Sequence, residues 1–244
     1  MSHWLEAFVR WTAELGLNYA FLLDAYQRGT MLDGALTTLW LCLFTGIGSL
    51  LVGVVLAAML TSGKPWLATP SRIFIEVTRN TPTLVQLYCA FLVLNMLLTQ
   101  AVGAANPLTP FAWVVIVISL HKGAFHAEAL RAGIEAVPDV TLEAASSLAF
   151  NSRQLLWNVQ LPLALRFALP SLVNNLIDLV KMTAVASAIA VGDITYASIM
   201  IWTQSDNVLE LMILILSFFG LLSFVVNCAG RALETRLRMP GYGH

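Results

Sequence analysis

Charge is scarce in this sequence. Its 244 residues include 13 basic and 14 acidic side chains, 11% of the whole, while 58% are apolar; ordinary globular domains carry roughly 25% charged residues. The few charges stand between long uncharged runs, as expensive charge does in a polytopic membrane protein, which argues against a soluble enzyme. An excess of positive charge is also missing, and a net charge of −1 speaks against a nucleic-acid partner. No GxxxxGK[ST] loop occurs, since Gly63-Lys64 is followed by Pro65, so the chain has no phosphate cradle of its own. Cys42, Cys89 and Cys228 each stand alone in an apolar stretch with no CxxC, and read as small core or lipid-facing residues. His121 and His126 are five positions apart and do not share a helix face as i,i+4 would, so with Glu128 they make a poor metal site. No basic leader precedes an apolar run, because Met1-Ser2-His3-Trp4-Leu5-Glu6 is mixed and carries an acid; no cleavable signal peptide is expected.

What is present is a series of long apolar segments. Between Asp33 and Lys64 lie 30 residues without a charge, more than the roughly 20 a membrane crossing needs. From Arg79 to Lys122 there are 42 more, interrupted by the breakers Gly103, Asn106, Pro107 and Pro110, which reads as two spans over about 83–100 and 111–126. A fourth covers about 168–190, apolar apart from Asp178 and Lys181, and a fifth covers 211–230. The expected fold class is an all-α polytopic membrane protein with about five transmembrane helices. On the first span Thr45, Ser49, Gly53, Ala57 and Thr61 recur every fourth position, a small-residue face for close helix contact.

An odd number of spans places the termini on opposite sides. Lys64, Arg72 and Arg79, then Lys122, Arg131, Arg153, Arg166 and Lys181, and finally Arg231, Arg236 and Arg238 fall on one side, 11 of the 13 basic residues. Arg10 and Arg28 fall on the other, among Glu6, Glu14, Asp24, Asp33, Asp206 and Glu210. The positive-inside rule then sets the N-terminus outside and the C-terminus in the cytoplasm. Trp4, Phe8, Trp11 and Leu15 at helical spacing suit either a helix lying in the outer interface or an ordinary packed helix.

The stretch from Ala127 to Ala168 is too polar to span and too apolar to be disordered. Pro138-Asp139 predicts a helix over 140–149, Asn151 with Gln154 resembles a capping box for a second, and Pro162 is expected to stop it. Such a two-helix elbow suits docking of a soluble partner, or is simply a satisfied loop.

Within it, Glu143-Ala144-Ala145, three residues, Ala149, nine residues and Val159-Gln160-Leu161-Pro162 resemble the E-A-A…G…I-x-L-P loop of permeases in bacterial ABC importers. Alanine replaces the usual glycine and valine the usual isoleucine. Arg79-Asn80-Thr81-Pro82-Thr83-Leu84-Val85-Gln86-Leu87 and Ala124-Phe125-His126-Ala127-Glu128-Ala129-Leu130-Arg131 are similar to segments of the polar amino acid branch, the histidine, glutamine, arginine and opine permeases. Leu161-Pro162, Arg166, Leu169-Pro170 and Asn174 continue that pattern. The chain departs from the branch at Val140-Thr141, commonly G-Q, and at Lys181-Met182-Thr183-Ala184-Val185, often K-D-T-S-L. The second departure leaves the substrate open.

The resemblance implies a type I ABC importer transmembrane domain over residues 31–238, with its coupling elbow at about 139–162, preceded by an extracytoplasmic or interfacial segment over 1–30. It further implies a multi-pass protein of the bacterial inner membrane, with no bond chemistry of its own. The implied partners are an ATPase dimer that binds ATP and Mg, a second permease chain, identical or homologous, and an extracytoplasmic substrate-binding protein. Asp139, Glu143, Ala144, Ala145, Ala149 and Asn151 would then couple ATPase closure to the membrane helices, Glu143 by charge and the alanines by shape; a solvated carboxylate at a helix start is the other reading of Glu143.

Lys181 lies 15 residues past Arg166, about 22 Å along a helix at ~1.5 Å per residue, and Asp178 is on the same face. Two readings are open for them. Either Asp178 and Lys181 line a substrate path with Thr81, Gln86, Asn174, Asn175 and Thr183, or they are a self-neutralising pair. Asn95, Gln100 and Asn227 are weaker candidates, equally suited to interhelical hydrogen bonds. The expected function is uptake of a polar amino acid or a derivative such as an opine. A stand-alone secondary transporter or channel for a small polar solute is the alternative, although no inverted repeat supports it.

Overall fold

The computed structural model describes residues 2–103 and 106–237; Met1 and Arg238, named above, lie outside them. Every regular element among the described residues is helical. Five helices are long and apolar enough to cross a membrane: Ala25–Leu60, Thr83–Val102, Pro110–Glu135, Ser152–Ile189 and Val208–Leu237. The count expected from the sequence is the count observed, with several boundaries moved.

A short amphipathic helix, α1 (Ser2–Glu14), precedes α2 (Ala25–Leu60). Asp24 caps α2 by accepting from the Tyr26 amide at 2.8 Å, so the helix begins nine residues before the uncharged run and continues unbroken through position 30. Its buried face is Met31, Gly34, Thr38, Leu41, Thr45, Ser49, Gly53 and Ala57. The small-residue stripe is therefore longer at its start than expected, and it stops at Ala57 because Thr61 is exposed. Lipid tails are as apolar as leucine, so helices in a membrane gain by close packing rather than by escape from water. Here Gly53 lies directly under His126 and Gly123 directly under Val52, which brings α2 against α6 (Pro110–Glu135).

After a turn, α3 (Pro65–Arg79) buries Ser71, Ile75 and Thr78 against the same two helices. The second span is α4 (Thr83–Tyr88), a π-helical turn (Cys89–Leu94) and α5 (Asn95–Val102) in one continuous helix. Asn95 ties it to α6 by accepting from the Trp113 indole at 2.9 Å, an interhelical bond as suggested above. Pro110 opens α6 and Thr109 caps it through the Ala112 amide.

That helix does not end near residue 126. It runs to Glu135, because Lys122 is buried against a carboxylate inside the bundle and Arg131 is held by Glu128 at 2.8 Å and Glu135 at 2.5 Å. Charge that is paired in place gives a helix no reason to stop. Lys122, counted with the basic residues of one flank, is thus a residue of the bundle interior.

A similar correction applies to Pro162. The elbow's second helix, α8 (Ser152–Leu155), continues through a π-helical turn (Leu156–Gln160) into α9 (Leu161–Met182), with Pro162 in its first turn. Proline lacks an amide hydrogen and its ring crowds the carbonyl four residues back; the wider π turn before it absorbs both. The fourth span then narrows to a 3-10 helix (Thr183–Ile189) and breaks at Ala190, whose φ is +58°. Beyond the break, α10 (Ile194–Ser205) packs on α2, with Gly34 against the Asp193 carbonyl and the Ile194 amide donating to Thr38 Oγ1 at 3.1 Å. Backbone freed by a break at this depth must find partners inside the protein, and Thr38 is one. The element α10 was not expected from the sequence. A last helix, α11 (Val208–Leu237), returns past α9, where Gly230 meets Val173.

Candidate functional site

Polar side chains from three helices meet inside the bundle. Gln86 of α4 is fixed first: its Nε2 donates to the Thr78 carbonyl at 2.9 Å and to Thr81 Oγ1 at 2.5 Å, which turns its Oε1 toward α6. There His121 Nδ1 lies 3.1 Å from Gln86 Oε1, and Nε2 lies 3.0 Å from Thr83 Oγ1. An amide oxygen can only accept, so Nδ1 is the donor to Gln86, while the threonine hydroxyl, which can donate or accept, meets Nε2. Next on α6, Lys122 pairs with Asp178 Oδ2 of α9, and its side chain is 3% exposed. Lys181 approaches the other carboxylate oxygen at 3.5 Å.

The faces of these residues differ. Lys122 is enclosed, while the side chains of Asp178 and Lys181 are 54% and 58% exposed. Ser171, Asn174, Asp178 and Lys181 form one exposed polar stripe down α9, and Asn175 is half-buried beside it. A polar stripe on a helix of otherwise apolar surroundings faces water or protein in preference to lipid. Thr183 does not belong to it: the residue is fully buried, bonded to the Val180 carbonyl and 3.7 Å from Cys42 Sγ of α2. Thr81 and Gln86 join the cluster through His121, whereas Asn174 and Asn175 share only the helix of Asp178.

Sequence reasoning missed Thr83, His121 and Lys122. The signal for Lys122 was available, because a lone lysine at the end of a 42-residue uncharged run sits where a span continues as readily as where it stops. It also did not foresee that Arg79 reaches α6, with its guanidinium 5.1 Å from the Phe125 ring centroid and 4.0 Å from Glu128. Two motif segments far apart in the chain are therefore one structure, joined by Arg79 to Phe125 and Glu128.

The elbow is the second feature. Helix α7 (Asp139–Ser147) leads to Ala149 at φ +60°, and Asn151 then starts α8 with a complete capping box, both bonds being 2.9–3.0 Å. A left-handed turn favours glycine, since an L side chain there meets the following carbonyl. That accounts for glycine as the usual residue at this position of the motif. Asp139, Glu143, Ala144, Ala149 and Asn151 are exposed, as are Val140 and Leu148, each 75%. Ala145 instead faces inward and is buried, so it supports the elbow rather than presenting its surface. Replacing Ala149 with glycine is expected to relieve the turn and stabilise the elbow by about 1 kcal/mol. Slower amide exchange over residues 139–155 of the Ala149→Gly variant would register this, and unchanged or faster exchange would contradict it.

Comparison with known proteins supplies the context for both features. The profile of the family described as "Binding-protein-dependent transport system inner membrane component" matches residues 49–239. The glutamate transport system permease protein GluC of Corynebacterium efficiens is 34% identical over 78% of this chain and 85% of its own length. The glutamine transport system permease protein GlnP of Escherichia coli K12 is 30% identical over 86% and 93%. Among solved structures, one described as an amino acid ABC transporter with histidines shares 27% identity and a TM-score of 0.78, covering 88% of this chain and 98% of the other. The MetNI methionine ABC transporter, at 18% identity and a TM-score of 0.68 over 88% of this chain, shares the fold. The chain belongs to the inner membrane components of binding-protein-dependent transport systems, on the branch of amino-acid ABC transporter permeases.

Proposed function

We propose that this chain is the membrane-spanning permease subunit of an ATP-driven importer for polar amino acids or amino-acid derivatives, opine-like compounds included. The observation that carries the reading is the elbow. It is an exposed helix–turn–helix, in register with the E-A-A motif, with the left-handed turn the motif's glycine requires and a capped helix behind it. An ATPase dimer that binds ATP and Mg docks there, with Asp139, Glu143, Ala144, Ala149 and Asn151 at the contact. A second permease chain covers the polar stripe of α9, and an extracytoplasmic binding protein delivers substrate to the opposite face. The protein sits in the inner membrane with the elbow and C-terminus in the cytoplasm and α1 outside, as the basic residues flanking the elbow favour.

Alternating access requires that the ATPase hold two states of the permease unequally, because equal affinity shifts nothing. Charge at Glu143 and the apolar tips Val140 and Leu148 give the elbow the means to do so. Purification of the tagged chain from its native membrane in mild detergent, followed by mass spectrometry, is expected to recover a P-loop ATPase in near-equal amount. Recovery of neither an ATPase nor a second permease, with a crosslinking control showing the preparation intact, would turn the reading toward a stand-alone transporter.

A further inference from the structure

We propose that α1 is a membrane-surface helix, with Trp4, Phe8, Trp11 and Leu15 seated in the lipid of the outer leaflet. At about 100° per residue, the side chains of α1 and the turn after it fall on three faces. Trp4, Phe8, Trp11 and Leu15 make one, and they are 85%, 42%, 59% and 61% exposed. Leu5, Val9 and Thr12 make a second, about a quarter turn round. Thr12 is buried there, and Val9 packs against the cluster that holds Tyr19, Ile201 and Leu211. His3, Glu6, Arg10 and Glu14 take the side away from both, all of them exposed. A helix packed on a protein in water needs only the second face, and large apolar side chains grouped on another are unfavourable there. An interfacial helix uses all three, with protein on its flank, lipid beneath and water above.

The depth of the helix is set by its ties. Gly16, at φ +79°, turns the chain after α1, and the Asn18 amide donates to Glu210 Oε1 at 2.6 Å. Glu210 is in the first turn of α11, where that span begins. Tyr19 and Phe21, both buried, fasten the same connection to Ile194 of α10 and Leu211 of α11, and the Phe8 ring leans on Tyr19 with centroids 5.5 Å apart. The helix is thus held where a span leaves the hydrocarbon, the level at which tryptophan is enriched. Glu6, Arg10 and Glu14 sum to −1, so attraction to anionic headgroups contributes nothing and the seat depends on apolar burial. Zwitterionic lipid is sufficient for it. Which leaflet is meant follows from the topology proposed above.

The test uses the full chain carrying Cys42→Ala, Cys89→Ala and Cys228→Ala, checked by gel filtration. Single cysteines are introduced as Trp4→Cys, Trp11→Cys or Leu15→Cys on one face and Glu6→Cys or Glu14→Cys on the other, so that each variant keeps most of the aromatic face. They are spin-labelled in nanodiscs of phosphatidylcholine, and collisions with oxygen, which concentrates in lipid, are compared with those of a water-soluble nickel chelate. Oxygen is expected to dominate at positions 4, 11 and 15, at a depth of about 5–10 Å, and the nickel chelate at positions 6 and 14. Adding phosphatidylglycerol leaves the pattern unchanged. In protein that keeps its cysteines, brominated phosphatidylcholine is expected to quench the emission that Trp4→Phe with Trp11→Phe removes. Nickel dominating on both faces, exclusion of both reagents from the aromatic face by a covering protein such as a second copy, a pattern that appears only with phosphatidylglycerol, or unquenched emission from the two tryptophans overturns the lipid seat. A membrane-impermeant maleimide that reaches Glu6→Cys on intact spheroplasts leaves the topology standing in each of those cases. Labelling of Glu6→Cys only after lysis is the failure of the topology itself.

Discussion

Replacing Asp178 with alanine is expected to destabilise the permease by about 3 kcal/mol. The physical ground is the asymmetry of the pair, since Lys122 is 3% exposed and Asp178 is 54% exposed. Removing the anion leaves an enclosed ammonium with no carboxylate in reach, the case in which breaking a buried pair costs about 3–5 kcal/mol. The lower end applies because water or protein at the open face compensates part of the loss. Removing the cation instead, as Lys122→Met, leaves Asp178 with Lys181 still at 3.5 Å and costs less. The double replacement Lys122→Met with Asp178→Leu restores most of the stability. Thermal unfolding in detergent of the three variants checks the order. Equal losses for Lys122→Met and Asp178→Ala would show that the pair is not held as described.

The second large effect is on transport. Glu143 is exposed at the elbow and its side chain has no ion-pair partner among the described residues, so Glu143→Arg is expected to leave folding intact. If an ATPase docks on the elbow as proposed, reversal of charge there weakens the contact that distinguishes the two states. Uptake is expected to drop more than about tenfold, equivalent to ~1.4 kcal/mol of lost coupling, while the unfolding temperature stays unchanged. Uptake at the natural rate in this variant would remove the elbow from the coupling path.

How much of this was legible in the sequence follows from where charge is paired. The number of spans came from uncharged runs alone, and the small-residue stripe of α2 came from its spacing. The capping box at Asn151 was readable because it is a local arrangement closed within four residues. Span boundaries failed where a charge finds its partner on another helix. Lys122 looked like the end of a span because Asp178, which neutralises it, is 56 residues away. Pro162 looked like a stop because a π turn that absorbs a proline has no sequence signature of its own. The helix α10 hid in a connection whose break, Ala190 to Asp193, is stabilised by Thr38 far upstream. Of the candidate path residues, Gln86, Asp178 and Lys181 were readable as polar groups out of place in apolar helices. Thr183 was misread because it stands four residues after Leu179 and three after Val180, on the buried face of the helix rather than on the face of Asp178 and Lys181.

The central claim is that this chain forms the path of an ATP-driven importer, and reconstitution tests it most directly. The permease would be embedded in proteoliposomes with its co-purified ATPase, substrate-binding protein added on one side and ATP on the other, and the accumulation of labelled polar amino acids followed over time. The account predicts accumulation above the equilibrium level that depends on ATP, on the binding protein and on an intact elbow. Equilibration of solute without ATP or binding protein, unaffected by Glu143→Arg, would contradict it and identify the chain as a transporter in its own right.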